Sequence, residues 1–341
     1  MSCFVRELSK RAPRVSVAMP TFNRAGLVAE SIRGVLAQTF TDYEFLIHDD
    51  GSRDGTADVV RGFADPRMRL VVAQNEGPPH PLRHLLARAS GEYLIVMHDH
   101  DLFAPTLIEK SVAALDAHPT AGFVLQGSAW MAEDGRSGRR EMLLDLPAVT
   151  GGPDFLRELL LRPKRLDSPF HACAMIRMKA FRDVGLYYDT RSGWYADVEL
   201  TFRLLARFDF VYLREVLYSF REREQGHVLS RRIWETFDEL EEIHAGAIRR
   251  AFDTGDPRSS TALASLRHKL WFNRRNALVS IAAAGDEAQL VNGLRRFRSD
   301  GAPRGARLLG YGLARFAFGR AVFMRLARVA RSIKRRATHR S

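Results

Sequence analysis

The 341-residue sequence is poor in cysteine: it has Cys3 and Cys173, and neither has a His or Cys neighbour at the spacing of a metal site. These absences exclude a disulfide framework and a structural zinc site, and we expect a reducing compartment. The N-terminal residues lack the apolar core of a signal peptide. No apolar run approaches the length of about 18 residues that a membrane-spanning helix needs. The sequence predicts a soluble protein of cytosolic type.

Acidic residues are also missing from the C-terminal segment. The net charge is +12, and eleven lysine and arginine residues lie after Asp300, where no acidic residue occurs. Within residues 303–341, apolar side chains between Val322 and Ile333 recur at helical spacing, which predicts a basic amphipathic helix. This tail either docks on the body of the protein or contacts an anionic membrane surface. Nucleic acid is not expected as a partner, because no motif that reads nucleic acid accompanies the charge.

Strands alternate with helices over the first 120 residues. Each of four short apolar runs is followed by a segment with helical spacing, and these runs lie at 14–19, 43–48, 68–73 and 92–97. The alternation predicts a mostly parallel sheet with helices on both faces. Ligands of such sheets bind beyond the carboxyl ends of the strands. We therefore expect the polar residues that follow each strand to gather at one edge.

Two of these polar clusters contain carboxylates. Asp49 and Asp50 follow the second strand and can accept hydrogen bonds from a base or a ribose, although capping of the next helix would use one acid of this segment. The run His-Asp-His-Asp at 98–101 follows the fourth strand, and such a cluster is costly to desolvate unless an ion binds it. Carboxylate oxygens suit Mg²⁺ or Mn²⁺, and an imidazole can join for Mn²⁺. A solvated loop is the alternative.

A third cluster opens a later helix. Asp197 and Glu199 lie in a predicted first turn, where acids often interact only with the helix dipole. The preceding Trp194 and Tyr195 suggest a semi-apolar pocket, which would raise the pKa of a carboxylate toward the range of a general base. Both interpretations stay open at this stage.

Three runs, VSVAMPTFNR, SIRGVLAQTFTDYEFLIHDDGSRDGT and GEYLIVMHDHDLFAP, resemble the inverting family 2 glycosyltransferases of the GT-A fold. The resemblance covers residues 14–118 and continues more loosely to about residue 225. It implies an α/β, Rossmann-like domain over 1–230, with a nucleotide-binding half at 14–118 and an acceptor half at 119–230. A helical extension at 231–302 and the basic tail follow. The implied activity is transfer of a sugar from a nucleotide diphosphate sugar, expected to be a UDP-sugar, to an acceptor hydroxyl in cell-surface polysaccharide or glycolipid synthesis.

The resemblance also implies roles for individual residues. The nucleotide-binding positions are Pro20, Thr21, Phe22, Asn23, Asp49, Asp50, Arg83, Asp99 and His100. A site for Mn²⁺ or Mg²⁺ falls on Asp99, His100 and Asp101. Asp197 falls on the position of the general base.

Three departures from the family pattern stand out. His100 occupies the central position of the metal motif, so either His100 or Asp101 serves as the ligand or the dependence on metal weakens. Leu82 and Arg83 stand where the family often has Arg-Asn. His227 follows Arg221 too late in the chain for the family's Arg-x-His loop.

Two rival functions come from other classes. A non-catalytic nucleotide-sugar-binding protein would keep the pocket without turnover, and His100 favours it. A nucleotidyltransferase would need a glycine-rich loop with Arg or Lys after the first strand, which the sequence lacks.

The expected partners are a nucleotide-sugar donor and a saccharide or lipid-linked acceptor. We expect a cytoplasmic location, where the tail at 303–341 would place the protein peripherally on the inner face of the membrane.

Overall fold

The computed structural model describes residues 11–77, 80–132, 134–135, 140–162, 174–185, 195–221 and 233–284. The strands in these segments are β1 (Val15–Thr21), β2 (Tyr43–Asp49), β3 (Met68–Val72), β4 (Tyr93–Val96), β5 (Leu102–Phe103), β6 (Phe123–Met131), β7 (Arg140–Met142), β8 (Val149–Thr150), β9 (Met175–Arg177) and β10 (Phe210–Arg221). The helices are α1 (Val28–Leu36), α2 (Thr56–Arg61), α3 (His80–Leu86), α4 (Leu107–Ala117), α5 (Gly152–Leu161), α6 (Met178–Asp183), α7 (Ala196–Leu205), α8 (Ile233–Ala251) and α9 (Pro257–Ala284). The sequence features at Cys3, Cys173, Trp194, His227 and 303–341 lie outside the described residues.

The strands form one sheet in the order β3-β2-β1-β4-β9-β6-β10-β5, with β7 beside β6 and β8 beside β10. Strands β3, β2, β1 and β4 are parallel, and so are β6 and β10. The short strands β5, β7, β8 and β9 run antiparallel to their neighbours. The predicted α/β fold is therefore confirmed, and β9 joins the two parallel parts of the sheet.

The core lies on both faces of this sheet. Successive side chains of a strand point to opposite faces, and strands buried on both faces have near-continuous apolar runs. Val17 and Phe45 are fully buried in the cluster that includes α1 and α4. Ala18 and Leu46 belong to the opposite cluster, which includes α3, α5 and α7. Because both clusters pack against β1 and β2, the ends of these strands, where the loops of the site begin, are held in position.

Helices α8 and α9 share the second of these clusters. Ile243 and Ile248 of α8 and Leu266 of α9 are buried in the same apolar cluster as Phe202 of α7. Between the two helices, Arg274 donates to Asp238 (2.9 Å). The helical segment 233–284 therefore packs on the same side of the sheet as α5 and α7.

None of the helices in the described segments is both long enough and apolar enough to cross a membrane.

The predicted end of the first strand was wrong. Strand β1 extends through Pro20 and Thr21, two residues beyond the predicted run at 14–19. The carbonyl of Thr21 accepts the N–H of Asp50 on the β2 side, so the nitrogen of Pro20 faces the other side, where pairing with β4 has ended at Ala18. Proline is tolerated in a strand where no ladder hydrogen bond is needed from it. Pro105 lies just before α4, and its carbonyl accepts the N–H of Thr39 (2.9 Å).

Candidate active site

The loops after β1, β2 and β3 meet at the carboxyl edge of the sheet. Asn23, after β1, donates its backbone N–H to Oγ of Ser52 (2.8 Å), and its Oδ1 accepts the N–H of Arg53 (3.0 Å). Nδ2 of Asn75, after β3, donates to the carbonyl of Asp50 (3.1 Å). Asn23 has a φ of 51°, which asparagine adopts more readily than most residues. The predicted gathering of these polar loops is confirmed.

Asp49 and Asp50 have different partners. Asp49 is fully buried, and its Oδ1 accepts both the N–H (3.0 Å) and the hydroxyl (2.5 Å) of Ser52, which closes the turn after β2. The two carboxylate oxygens of Asp50 accept the N–H groups of Glu76 and Gly77, each at 2.9 Å. Asp50 is thus fixed against the loop after β3, and each oxygen keeps a second lone pair for a ligand.

The turn between these acids and α2 depends on a glycine. Gly51 has a φ of 75°, and a Cβ there would lie 2.8 Å from the backbone nitrogen of Asn75. Asp54, three residues on, accepts the N–H and the hydroxyl of Thr56 at the start of α2. The helix-start interpretation therefore fits Asp54, whereas Asp49 and Asp50 have other partners.

The remaining positions expected at the nucleotide lie around this edge. Phe22 leaves 43% of its surface exposed at the end of β1, whereas Thr21 is buried. Arg83 is exposed on α3, and within the described residues no hydrogen bond joins it to the strand-end loops. Its neighbour His84 is joined to them, since its Nε2 lies 3.1 Å from Oε2 of Glu76. The role of Arg83 stays a prediction.

Residues 98–101 follow β4 after Met97 and bring three possible metal ligands together. Nδ1 of His98 lies 3.2 Å from Oδ2 of Asp101, and Nε2 of His100 lies 3.7 Å from Oδ1 of Asp101. The two imidazole rings stack with their centroids 5.6 Å apart. One donor atom from each of the three residues lies within 4.8 Å of the others, which is close enough to share one ion.

Asp99 lies outside this group of ligand atoms. Its Oδ1 is 2.8 Å from Nδ1 of His100 and 3.6 Å from Nε of Arg24. A carboxylate in this position fixes the orientation of a histidine ring. The ligand group in the structure therefore contains His98, which the resemblance did not select, and does not contain Asp99, which it did.

Asp101 is anchored from the far side of the sheet. It is 1% exposed, its Oδ2 accepts the hydroxyl of Tyr218 (2.5 Å), and its Oδ1 accepts the N–H of Arg221 (2.9 Å). The guanidinium of Arg221 donates to the carbonyl of His100 (2.8 Å) and to Glu30 on α1 (2.5 Å). The end of β10 thus holds the loop after β4 in shape.

Asp197 lies in the first turn of α7, and its Oδ1 accepts the N–H of the adjacent Val198 (2.8 Å). Desolvation raises the pKa of this carboxyl, and the nearby charge of His98 offsets only part of that rise. A raised pKa makes this carboxylate a stronger base than an exposed aspartate, as a general base requires. Because His98 belongs to the ligand group, the candidate base lies beside the candidate metal site.

The other charges of the site favour ionised groups. Burial alone would raise the pKa of Asp99, but His100, Thr21 and Arg24 together lower it below its ordinary range. Burial would also raise the pKa of Asp101, but His98, His100 and Tyr218 together lower it below its ordinary range. Desolvation would lower the pKa of His98, yet Asp101, Asp197 and Asp99 together raise it above its ordinary value. Asp99 and Asp101 are therefore more acidic than ordinary aspartates, whereas Asp197 binds a proton more readily than an ordinary aspartate.

Sequence reasoning missed two parts of this arrangement. The run at 98–101 was read as four potential ligands, but the set that the resemblance implies leaves out His98, whose signal was its position after the apolar strand. Tyr218 gave no signal, because it lies within an apolar strand pattern far along the chain.

A family model described as Glycosyl transferase family 2 matches residues 16–185. A Bacillus subtilis protein named "Putative glycosyltransferase EpsE" is 31% identical over 217 residues, which cover 62% of this chain and 73% of EpsE. Another from the same organism, named "Putative teichuronic acid biosynthesis glycosyltransferase TuaG", is 30% identical over 126 residues, which cover 36% of this chain and 50% of TuaG. The chain belongs to glycosyl transferase family 2.

Solved structures show the same fold. S. aureus TarS 1-349 in complex with UDP-GlcNAc has a TM-score of 0.63 and 19% identity, with 89% of each chain covered. The mannosyltransferase PcManGT from Pyrobaculum calidifontis in complex with GDP-Man and Mn²⁺ has a TM-score of 0.53 and 20% identity, with 94% of this chain and 87% of that chain covered. The predicted GT-A fold is confirmed.

Proposed function

We propose that this chain transfers a sugar from a nucleotide diphosphate sugar to an acceptor hydroxyl with inversion at the anomeric carbon. The observation that carries the proposal is the position of Asp197, whose carboxyl has a raised pKa and interacts with His98 of the ligand group. A UDP-sugar is the expected donor, and the UDP-GlcNAc bound by TarS supports it. The biosynthetic name of TuaG supports an acceptor in cell-surface polysaccharide or glycolipid synthesis.

The ligand group fits a divalent ion. Two imidazole nitrogens and one carboxylate oxygen within 4.8 Å of one another form a suitable donor set. His98, His100 and Asp101 would hold the ion, for which the sequence predicts Mn²⁺ or Mg²⁺. When bound, it would neutralise negative charge that develops on the departing diphosphate.

Asp197 is the group that would move a proton. As the acceptor oxygen attacks the anomeric carbon, the carboxylate accepts the hydroxyl proton, and the bond from the anomeric carbon to the diphosphate oxygen breaks. This single displacement inverts the anomeric configuration and needs no covalent intermediate. The hydrogen bond from the N–H of Val198 restricts the rotation of the carboxylate, so that it needs little reordering before it accepts the proton.

Asp50 and Phe22 are the proposed contacts for the nucleoside. The carboxylate of Asp50 is held by two N–H groups and keeps lone pairs for a base or a ribose. The exposed ring of Phe22 offers a surface on which a base can stack. The resemblance adds Pro20, Asn23 and the other nucleotide positions given above.

We also propose a cytoplasmic location and a peripheral membrane contact through the tail at 303–341. This proposal is supported by the charge and the apolar spacing of the tail sequence. A lipid-linked acceptor would then lie within reach of the active site.

A non-catalytic nucleotide-sugar-binding protein is the second candidate. It is favoured by His100, an imidazole at the centre of a motif that is acidic in the family. Such a protein would bind the donor through Asp50 and its neighbours without releasing the nucleotide.

One assay separates these candidates. Nucleotide release and donor binding are measured across UDP-, GDP- and dTDP-sugars with Mn²⁺, Mg²⁺ or a chelator. Metal-dependent release of UDP from one donor is the expected result. Tight binding without release, with acceptor saccharides present, would favour the binding protein, and failure to bind any donor would refute both.

A further inference from the structure

The ligand group holds more nitrogen than a magnesium site uses. Mg²⁺ is bound in proteins through oxygen ligands and retained waters, whereas two of the three candidate ligands here are the imidazoles of His98 and His100. We propose that His98, His100 and Asp101 form a site that selects a late first-row transition ion, such as Co²⁺ or Zn²⁺, over Mg²⁺. This inference takes the role of the ion from the proposed function and adds which ion these residues bind most tightly.

The spacing of the donor atoms matches ligands of a single ion. Two ligands that are each about 2.1 Å from one ion lie roughly 3–3.4 Å apart in octahedral or tetrahedral geometry. The distance from Nδ1 of His98 to Oδ2 of Asp101 is 3.2 Å, which falls in this range. Nε2 of His100 lies 3.7 Å from the other oxygen of the same carboxylate, Oδ1. Since one donor atom from each residue lies within 4.8 Å of the others, a small rotation of the His100 imidazole would bring all three to ligand spacing.

Asp99 prepares His100 to act as a ligand. With Oδ1 of Asp99 accepting the proton on Nδ1 of His100, the lone pair of that ring lies on Nε2, the atom nearest Asp101. A carboxylate–histidine–metal arrangement of this kind also makes the imidazole a stronger ligand. Asp99 is therefore a positioning residue for the ion rather than one of its ligands.

Asp101 is the fixed point of the group. The hydroxyl of Tyr218 and the N–H of Arg221 each take one lone pair, on different oxygens, and burial prevents the side chain from turning away. The remaining lone pair on Oδ2 is on the oxygen that His98 approaches. One carboxylate oxygen and two imidazole nitrogens are then the protein's contribution to the site.

This donor set decides the preference among ions. Imidazole binds zinc, copper, iron and nickel well, and the affinity of nitrogen-containing sites rises from Mn²⁺ through Co²⁺ to Cu²⁺. Mg²⁺ gains little from imidazole and gives up its waters reluctantly. We expect affinity to rise from Mg²⁺ through Mn²⁺ to Co²⁺ and Zn²⁺, with the gap between Mg²⁺ and Co²⁺ about 100-fold or more.

The test is metal binding by the full chain, stripped of metal and without a sugar donor. Co²⁺ is titrated by its visible absorption, and Zn²⁺, Mn²⁺ and Mg²⁺ are then titrated against it in competition. The expected result is that Zn²⁺ displaces Co²⁺ readily and Mg²⁺ only at about 100-fold or more excess. Displacement by Mg²⁺ at concentrations similar to those of Zn²⁺ would overturn the proposal, and this measurement needs no variant.

Variants then assign the site. The double substitution His98→Asp, His100→Asp replaces nitrogen ligands by oxygen ligands. It is expected to remove the absorption of bound Co²⁺ and to reduce the ratio of the Co²⁺ affinity to the Mg²⁺ affinity at least about tenfold. His118→Asp, at the end of α4, makes the same change away from the site and is expected to leave the absorption and the affinity ratio unchanged. Asp99→Ala is expected to weaken Co²⁺ binding about 10- to 100-fold. An unchanged Co²⁺ spectrum in the double variant would refute the assignment.

The outcome is separable from that of the proposed function, because no donor is present. Selective Co²⁺ binding by a protein that never releases UDP would support this inference and refute the transferase. UDP release by a protein that binds Mg²⁺ and Co²⁺ with equal affinity would support the transferase and refute this inference.

Discussion

The imidazole of His98 and the carboxylate of Asp197 attract each other across the edge of the sheet, so that the charge of each favours the ionised form of the other. One residue follows β4 and the other begins α7. This electrostatic interaction couples the proposed ion site to the proposed base. A change at either end is therefore expected to be felt at the other.

The first prediction concerns Asp197→Asn. Loss of the base is expected to lower kcat by about 10²–10⁴, while the dissociation constant for the donor changes little. Because the folded state raises the pKa of Asp197, its charge opposes folding at neutral pH. The variant should therefore be at least as stable as the parent chain. Asp154→Asn, at an exposed position of α5, is the matched control, and near-normal turnover of the Asp197 variant would refute the role.

The second prediction concerns the pH profile. A base must be deprotonated, so kcat/KM is expected to rise with pH through the pKa of Asp197. Since desolvation raises that pKa, the acid limb should lie above the ordinary value for aspartate of about 3.9. The profile is measured at saturating metal ion. An acid limb at or below the ordinary value would contradict the assignment.

The third prediction compares two glycines with positive φ. Gly51→Ala and Gly55→Ala both place a side chain in the left-handed region, at a cost of about 1–2 kcal/mol each. Only at Gly51 would the new Cβ collide, 2.8 Å from the backbone nitrogen of Asn75, whereas Gly55 has open space. Gly51→Ala is therefore expected to weaken donor binding, measured by calorimetry, and Gly55→Ala is not. Equal donor affinities in the two variants would argue against a nucleotide site at this turn.

The fourth prediction concerns a buried acid that the mechanism does not use. Oε1 of Glu44 on β2 accepts the hydroxyl of Ser16 (2.7 Å) and both the N–H and the hydroxyl of Ser90 (2.8 Å each). Glu44→Ala would leave these donors without an acceptor and is expected to lower the free energy of unfolding by about 2–3 kcal/mol. Glu215→Ala, which removes an exposed ion pair with Lys110, should cost less than about 1 kcal/mol. Chemical denaturation measures both, and equal losses would refute the argument.

The fifth prediction concerns the tail. The full chain is expected to float with liposomes that contain anionic lipid, and a chain that lacks residues 303–341 is not. Raised salt should weaken the binding, because part of it is electrostatic. Equal flotation of both chains would remove the membrane role of the tail.

The strands of the first half could be predicted because parallel strands buried on both faces are short apolar runs between polar loops. All four predicted runs are strands, and each observed boundary lies within two residues of the prediction. The exception with a physical cause is Pro20, whose tolerance in β1 depends on where pairing with β4 stops. Such pairing joins distant parts of the chain and leaves no local signal. The same holds for β9, whose place between β4 and β6 could not be inferred from its own residues.

The acids and histidines after β2 and β4 lie at the carboxyl edge of the sheet, as their positions after these strands predict. Their roles, and that of Asp197, stay predictions. Which members of the run at 98–101 face one another depends on how the loop turns, and that turn is set by Tyr218 and Arg221 on β10. One sequence without its fold cannot show a contact across 117 residues.

The anchoring of Asp101 has a consequence for the order in which the protein becomes competent during synthesis. Asp101 leaves the ribosome 117 residues before Tyr218. Strand β10, the last strand in the part of the chain that the structure describes, then pairs with β6 and β5. Until that strand docks, the nascent chain carries the ligands but lacks the two groups that shape them. Binding of the proposed ion is therefore expected only after β10 has been synthesised and has docked, and a fragment that ends with the nucleotide-binding half is not expected to reproduce it.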